Sequence, residues 1–345
     1  MLKDISVYYQ EGNMKYDIVT IGDASEDIFV RPRDLKMVSD PRFVSGKGAS
    51  FELGEKILLD DVQYEVGGSA CNNAVAFSRQ GYRAAAMVAV GEDTPGEKIE
   101  NKFTKEGVDT SLVRQRVEYK TNFSVVFNIG GERTIFVYHG LDDYSCLKPD
   151  KNMQTEWVFL APLGEGDEEV INGVISLAAE KNVKIAWNPG GIQIKKSAQH
   201  YRKLLACTTV LFVNREEGIK FANFPVAPQP KEIIKTLQSY GVKVVVMTDG
   251  KKGATSYDGD HYYHANILPC EKKDATGAGD SFATGFTGRL MKEETISPGV
   301  ITEALAWGVV NSTSVVSYIG AQDGLLSQNQ IEEQIAENSI NIEMD

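Results

Sequence analysis

The chain has 345 residues, 42% hydrophobic and 24% charged, which suits one large α/β domain with an appendage, or two average domains, and is too apolar for disorder. Its formal charge of -12 repels phosphate backbones and anionic headgroups, so neither nucleic acid nor a membrane surface is an expected partner. Cys71, Cys146, Cys207 and Cys270 lie far apart with no CxxC spacing, the N-terminus lacks an apolar signal core, and no run approaches the ~20 apolar residues of a membrane span, so the expected compartment is the cytoplasm.

Residues 1–14 read as a polar N-terminal extension. From there, β-type apolar runs occur at Tyr16 to Ile21, Ala84 to Val90, Trp157 to Ala161, Val183 to Trp187, Val210 to Val213 and Val242 to Thr248. Helical spacing fills the gaps at Cys71 to Gln80, Pro95 to Glu106, Glu168 to Glu180 and Lys231 to Tyr240, and Thr94 before Pro95 reads as a helix cap. This alternation predicts an α/β protein, a three-layer αβα domain around a mostly parallel sheet. Two stretches, 30–66 and 119–138, are strand-like and rich in turn residues with no helix between, and are expected to form a small antiparallel β lid. Residues 331–345 read as a C-terminal helix and a polar tail that frays after Glu337.

The strongest chemical signal is DATGAGDSF, Asp274 to Phe282, which runs directly into a helical stretch. Gly277, Ala278 and Gly279 let a ligand approach the backbone closely, and the unpaired N–H groups of a helix start hold an anion. Asp280 falls in the first turn, where it stays ionised and can take a proton from a hydroxyl brought to the same anion site.

This nonapeptide closely resembles the second signature of the ribokinase-like (PfkB) carbohydrate kinase family, and other family motifs follow in order over about 15–330. The resemblance implies a ribokinase-like fold, with Asp280 as catalytic base and the Gly277-to-Asp280 backbone as anion hole. In GDASED, Ser25 and Asp27 match residues that hold substrate hydroxyls; in GGSACNNA, Gly68 and Asn72 match substrate contacts, with Ser69 capping the next helix. Ribokinases proper usually have a lysine where this chain has Ser69, which counts against ribose itself. GEDTPGE, Gly91 to Glu97, also matches but reads as a strand-to-helix connection. On the nucleotide side the resemblance points to Asn188 of WNPG, Asn214 and Glu217 of NREE, and Thr248, Gly250 and Gly253 of TDGKKG, with Glu217 helping to place Mg²⁺ through water. Asp274 and Thr276 match potassium ligands, although Gly324 of GAQDGL stands where a serine of that site is expected. Asn311 lies near the family's adenine-pocket asparagine but out of register.

His261 and His264 of HYYH are spaced so that a strand points them to opposite faces, which suits structural roles. There is no GxxxxGK[ST] and no GxGxxG opening a βαβ unit. The expected activity is transfer of the ATP γ-phosphate to a hydroxyl of a small sugar, with Mg²⁺ and potassium as candidate cofactors. A nucleoside kinase of adenosine type and a non-catalytic sugar-binding sensor of the same fold are the alternatives. A homodimer through the lid is the expected assembly.

Overall fold

A computed structural model describes residues 16–33, 35–43, 46–129 and 132–345; the expected extension at 1–14 lies outside the described residues. The central sheet has nine strands. From one edge they run Ile342–Met344, Tyr262–Ala265, Ala254–Tyr257, Val244–Thr248, Val210–Asn214, Lys184–Trp187, Thr155–Leu160, Tyr16–Ile21 and Ala84–Met87. The six from Val244–Thr248 to Ala84–Met87 are mutually parallel, and the three at the other edge are antiparallel. Period-2 alternation sends neighbouring side chains to two separate cores. Trp157, Phe159, Val210 and Phe212 pack on one face, while Val158, Leu160, Leu211 and Val213 pack on the other. Burial on both faces explains why the strands read as continuous apolar runs rather than as alternating ones.

Helices Ser69–Arg79, Ala278–Met291 and Pro298–Val315 cover the first face, and Asp167–Lys181 and Pro230–Gln238 the second. Helix Thr94–Glu106 starts differently from the sequence expectation. Its cap is Asp93, whose carboxylate accepts the Gly96 N–H at 3.0 Å and also binds Thr121, so Thr94 is the first helical residue. A carboxylate that can satisfy both a helix start and a distant loop outcompetes the adjacent hydroxyl. Likewise Ser69 is helical rather than a cap; Gly68 holds that position.

The lid is a four-stranded sheet in the order Glu132–Tyr138, Asn122–Ile129, Ser25–Pro32, Leu59–Gly67. Its outer pairings are antiparallel, and the central one, Ser25 to Val30 against Asn122 to Phe127, is parallel. The sheet therefore begins at Ser25, ahead of the expected start at 30. A hairpin, Lys36–Ser39 with Lys47–Ser50, extends the segment between two of its strands. The tail is also not frayed: Ile342–Met344 adds the ninth strand, and Lys231 pairs with Asp345. Its polar composition hid this, because an edge strand exposes most of its side chains and draws its stability from backbone bonds.

Candidate active site

Four parallel strands end on the same side of the sheet, and each delivers a polar residue there: Asp23 after Tyr16–Ile21, Asn188 after Lys184–Trp187, Asn214 at the end of Val210–Asn214, and Thr248 at the end of Val244–Thr248. Ligands of open parallel sheets bind at these ends. Helix Ala278–Met291 points its N-terminus toward them from Gly277, whose φ of 72° is the left-handed conformation. A Cβ at Gly277 would lie 2.4 Å from the Ala321 Cβ, so only glycine lets the helix start against that loop.

Asp280 sits in the first turn of this helix, and its carboxylate accepts a hydrogen bond from the Asn72 amide at 2.9 Å. The two glycine motifs, 208 positions apart, thus meet at one contact. Burial raises the Asp280 pKa, hydrogen bonds from Asn72 and Ser69 pull it down, and the Asp27 charge raises it. Burial outweighs the donors, so the carboxyl takes up a proton more readily than that of an exposed aspartate.

Asp27 projects from the lid strand and accepts from the hydroxyls of Ser124 at 2.6 Å and Ser25 at 3.0 Å. Ser25 therefore holds Asp27. A Cβ on Gly67 would fall 2.1 Å from the Asp27 carboxylate, and one on Gly68 2.7 Å from the Asp23 carbonyl, so the paired glycines are required by two close approaches. Burial raises the Asp27 pKa against those two hydroxyls.

Asn214 and Glu217 form a reciprocal capping box, with the Glu217 N–H donating to Asn214 at 2.9 Å and the Asn214 N–H to Glu217 at 2.8 Å. Burial raises the Glu217 pKa, and the nearby charge of Asp280 adds to it. Asn188 donates to the Phe212 carbonyl at 3.1 Å and ties two strand ends together. Gly250 and Gly253 bracket a single 3-10 turn just past Thr248. Asp274 is buried: one oxygen accepts from the Thr276 N–H and hydroxyl, the other from the Gly320 N–H.

Asn311 is buried between helices. Its amide donates to the Ser281 carbonyl at 2.7 Å and accepts the Leu326 N–H at 3.1 Å, locking two helices and a loop in the interior. The His264 ring pairs with Thr255, and His261 stands beside Asp258, consistent with structural roles.

Three residues escaped the sequence reading. Ser124 stands in an ordinary strand and gives no signal. Asp23 occupies the first carboxylate of GDASED, and Gln322 stands in GAQDGL. The buried Gln322 amide donates to the Asn72 Oδ1 and to the Val66 carbonyl, each at 3.0 Å. With its oxygen so engaged, Asn72 must present its NH₂ to Asp280. Arg79 braces the same loop, donating to the Gln322 carbonyl while paired with Glu106. Gln322→Leu is expected to lower kcat about tenfold and to move the acid limb of the kcat/KM profile upward, because Asp280 loses an oriented donor. An unmoved limb would reduce Gln322 to a packing role.

A parallel sheet with polar residues at its strand ends, a small β sheet beside it and an acid on a helix start are the arrangement of an ATP-dependent carbohydrate kinase, the class to which sequence similarity assigns this chain. The model for the pfkB family of carbohydrate kinases matches residues 42–328, and the chain belongs to that family. Among curated relatives, a ribokinase of Bacillus subtilis is 26% identical, covering 87% of this chain and 95% of its own length. A nucleoside kinase of Methanocaldococcus jannaschii is 26% identical over 84% of this chain and 91% of itself. The solved structure of the ribokinase from Giardia lamblia superposes with a TM-score of 0.76 at 19% identity, covering 94% of this chain and 100% of that one, which establishes the ribokinase-like fold. Among the described residues, no helix is long and apolar enough to cross a membrane.

Proposed function

We propose that the protein transfers the ATP γ-phosphate to a hydroxyl of a small sugar, with Asp280 as general base. The observation that carries this reading is the Asn72–Asp280 contact at the start of a glycine-led helix, where a carboxylate shares the first turn with backbone N–H groups. The acceptor lies under the lid, where Asp27 and Asn72 hold its hydroxyls. Its reacting oxygen gives its proton to Asp280 and forms the new bond to phosphorus as the bond to ADP breaks. The N–H groups from Gly277 to Asp280 stabilise charge on the transferred group, so positioning and electrostatics supply most of the rate.

Asn188, the Asn214–Glu217 pair, Thr248, Gly250 and Gly253 serve the nucleotide side. Mg²⁺ arriving with ATP would meet Glu217 through water. Bound there, Mg²⁺ would neutralise phosphate charge. A coupled ADP-release assay over sugars, sugar phosphates and nucleosides tests the proposal. ADP release that depends on a sugar supports it, and release with nucleosides alone favours the nucleoside reading, which the relative from Methanocaldococcus jannaschii also suggests.

Asp274 and Thr276 are the proposed potassium ligands, a carboxylate and a hydroxyl on the loop leading into the catalytic helix. Potassium is expected to raise kcat severalfold over an equal concentration of a large organic cation, by ordering that loop. Equal rates in the two salts would remove the site.

Homodimerisation through the lid is supported by its outer strand, where Ile135, Phe136, Val137 and Tyr138 are consecutive and each at least 41% exposed. Both faces of that edge are uncovered, which a soluble monomer avoids. Light scattering should report a dimer that Val137→Lys weakens without loss of fold; a monomer at micromolar concentration counts against it.

A further inference from the structure

The acceptor end of the site is acidic, and the mechanism leaves one of its carboxylates without a task. Asp23 stands at the end of the strand Tyr16–Ile21, and one of its oxygens accepts the Ser69 N–H at 3.0 Å. Its own N–H is a second backbone donor, and among the described residues no side chain donates to it, so the carboxylate keeps acceptor capacity for a ligand hydroxyl. Its neighbours are Asp280 and Asp27, each of whose charges acts on it.

All three acids are served by uncharged donors alone: backbone amides for Asp23, serine hydroxyls for Asp27, and the Asn72 amide with Ser69 for Asp280. Among the described residues no lysine, arginine or histidine pairs with any of them. Lys98 and Arg79, on the helices nearby, are committed to Glu26 and Glu106. A phosphate or carboxylate carried by the acceptor would enter beside three acids that, among the described residues, have no lysine, arginine or histidine paired with them. It would also compete with the transferred phosphoryl group for the N–H groups of the helix start. Burial and the Asp280 charge already push the Asp23 pKa up to about 7, so the pocket resists even its own third charge.

Resting on the phosphotransfer reading above, we infer that the acceptor is a polyhydroxy compound with no phosphate or carboxylate of its own, and that Asp23 is the specificity-determining residue, binding an acceptor hydroxyl beside Asp280 and repelling anionic analogues.

The test uses matched pairs: ribose and ribose 5-phosphate, fructose and fructose 6-phosphate, adenosine and AMP, glucose and gluconate. In kcat/KM by ADP release, the neutral member of each active pair should lead by about 100-fold or more. Assayed above the Asp23 pKa of about 7, where its carboxylate is ionised, Asp23→Asn keeps the shape and removes a charge, so it should narrow that ratio by about tenfold, with Asp23→Ser as a second variant should the first fold poorly. An anionic member that is the better acceptor, or a ratio unmoved in a folded Asp23 variant, overturns the inference. Absence of ADP release with every compound overturns the phosphotransfer reading instead. The same pairs are then compared by calorimetric binding to the wild-type protein, and any result in which the neutral member is not favoured overturns the charge selection.

Discussion

Asp280→Asn is expected to lower kcat by on the order of 10² to 10⁴ while ATP affinity changes little. The amide keeps the shape of the carboxylate and leaves the backbone N–H groups in place, but it cannot take the acceptor's proton. Misfolding is not the expected cause of the loss. Burial raises the pKa of the native carboxylate, so its ionised form costs folding energy that the amide does not, and the variant should melt no lower than wild type. The sign of the pH effect follows from the same shift. Asp280 works only when ionised, so wild-type kcat/KM should fall as pH drops through its raised pKa, and this limb should vanish in Asp280→Asn. Near-normal turnover in the folded variant would remove the central claim of the mechanism.

Asp27→Ala should cost roughly 10³-fold or more in kcat/KM for the true acceptor, because a site built to bind hydroxyls loses the carboxylate at its centre. The loss has a structural corollary. Ser25 and Ser124 spend their hydroxyls on Asp27, so removing it leaves two donors facing the acceptor with nothing to orient them. Ser124→Ala should therefore reproduce part of the defect, on the order of tenfold. Alongside this, a free sugar is expected to be phosphorylated faster than adenosine. Should adenosine outpace every sugar and depend on Asp27, the pocket stands and the sugar assignment falls. If Asp27→Ala is silent with the best acceptor, the pocket itself is misplaced.

The strands were legible because burial on both faces writes an unbroken apolar run, as at Val244–Thr248, and period-3.6 spacing marked the helices between them. The motif around Asp280 was legible because its requirements are local: small residues where the backbone must be approached, then a helix. The cap at Asp93 was misread because its choice over Thr94 depends on Thr121, which the fold brings up from 28 positions away. The place of Asn311 was not legible because its partners, Ser281 and Leu326, adjoin it only once the two helices pack.

Local pattern thus determined the class of fold, the order of the elements and the turn that carries Asp280, since each rests on residues a few positions apart. Tertiary structure alone decided that Asn72 faces Asp280 with Gln322 behind it, that Ser124 holds Asp27, and that Asp23 joins them with no basic partner among the described residues. Hydrogen bonds and charges act over a few ångströms in space and are indifferent to distance along the chain. The chemistry of the pocket therefore exists only after parallel strands and a lid from three separate segments have converged on one end of the sheet.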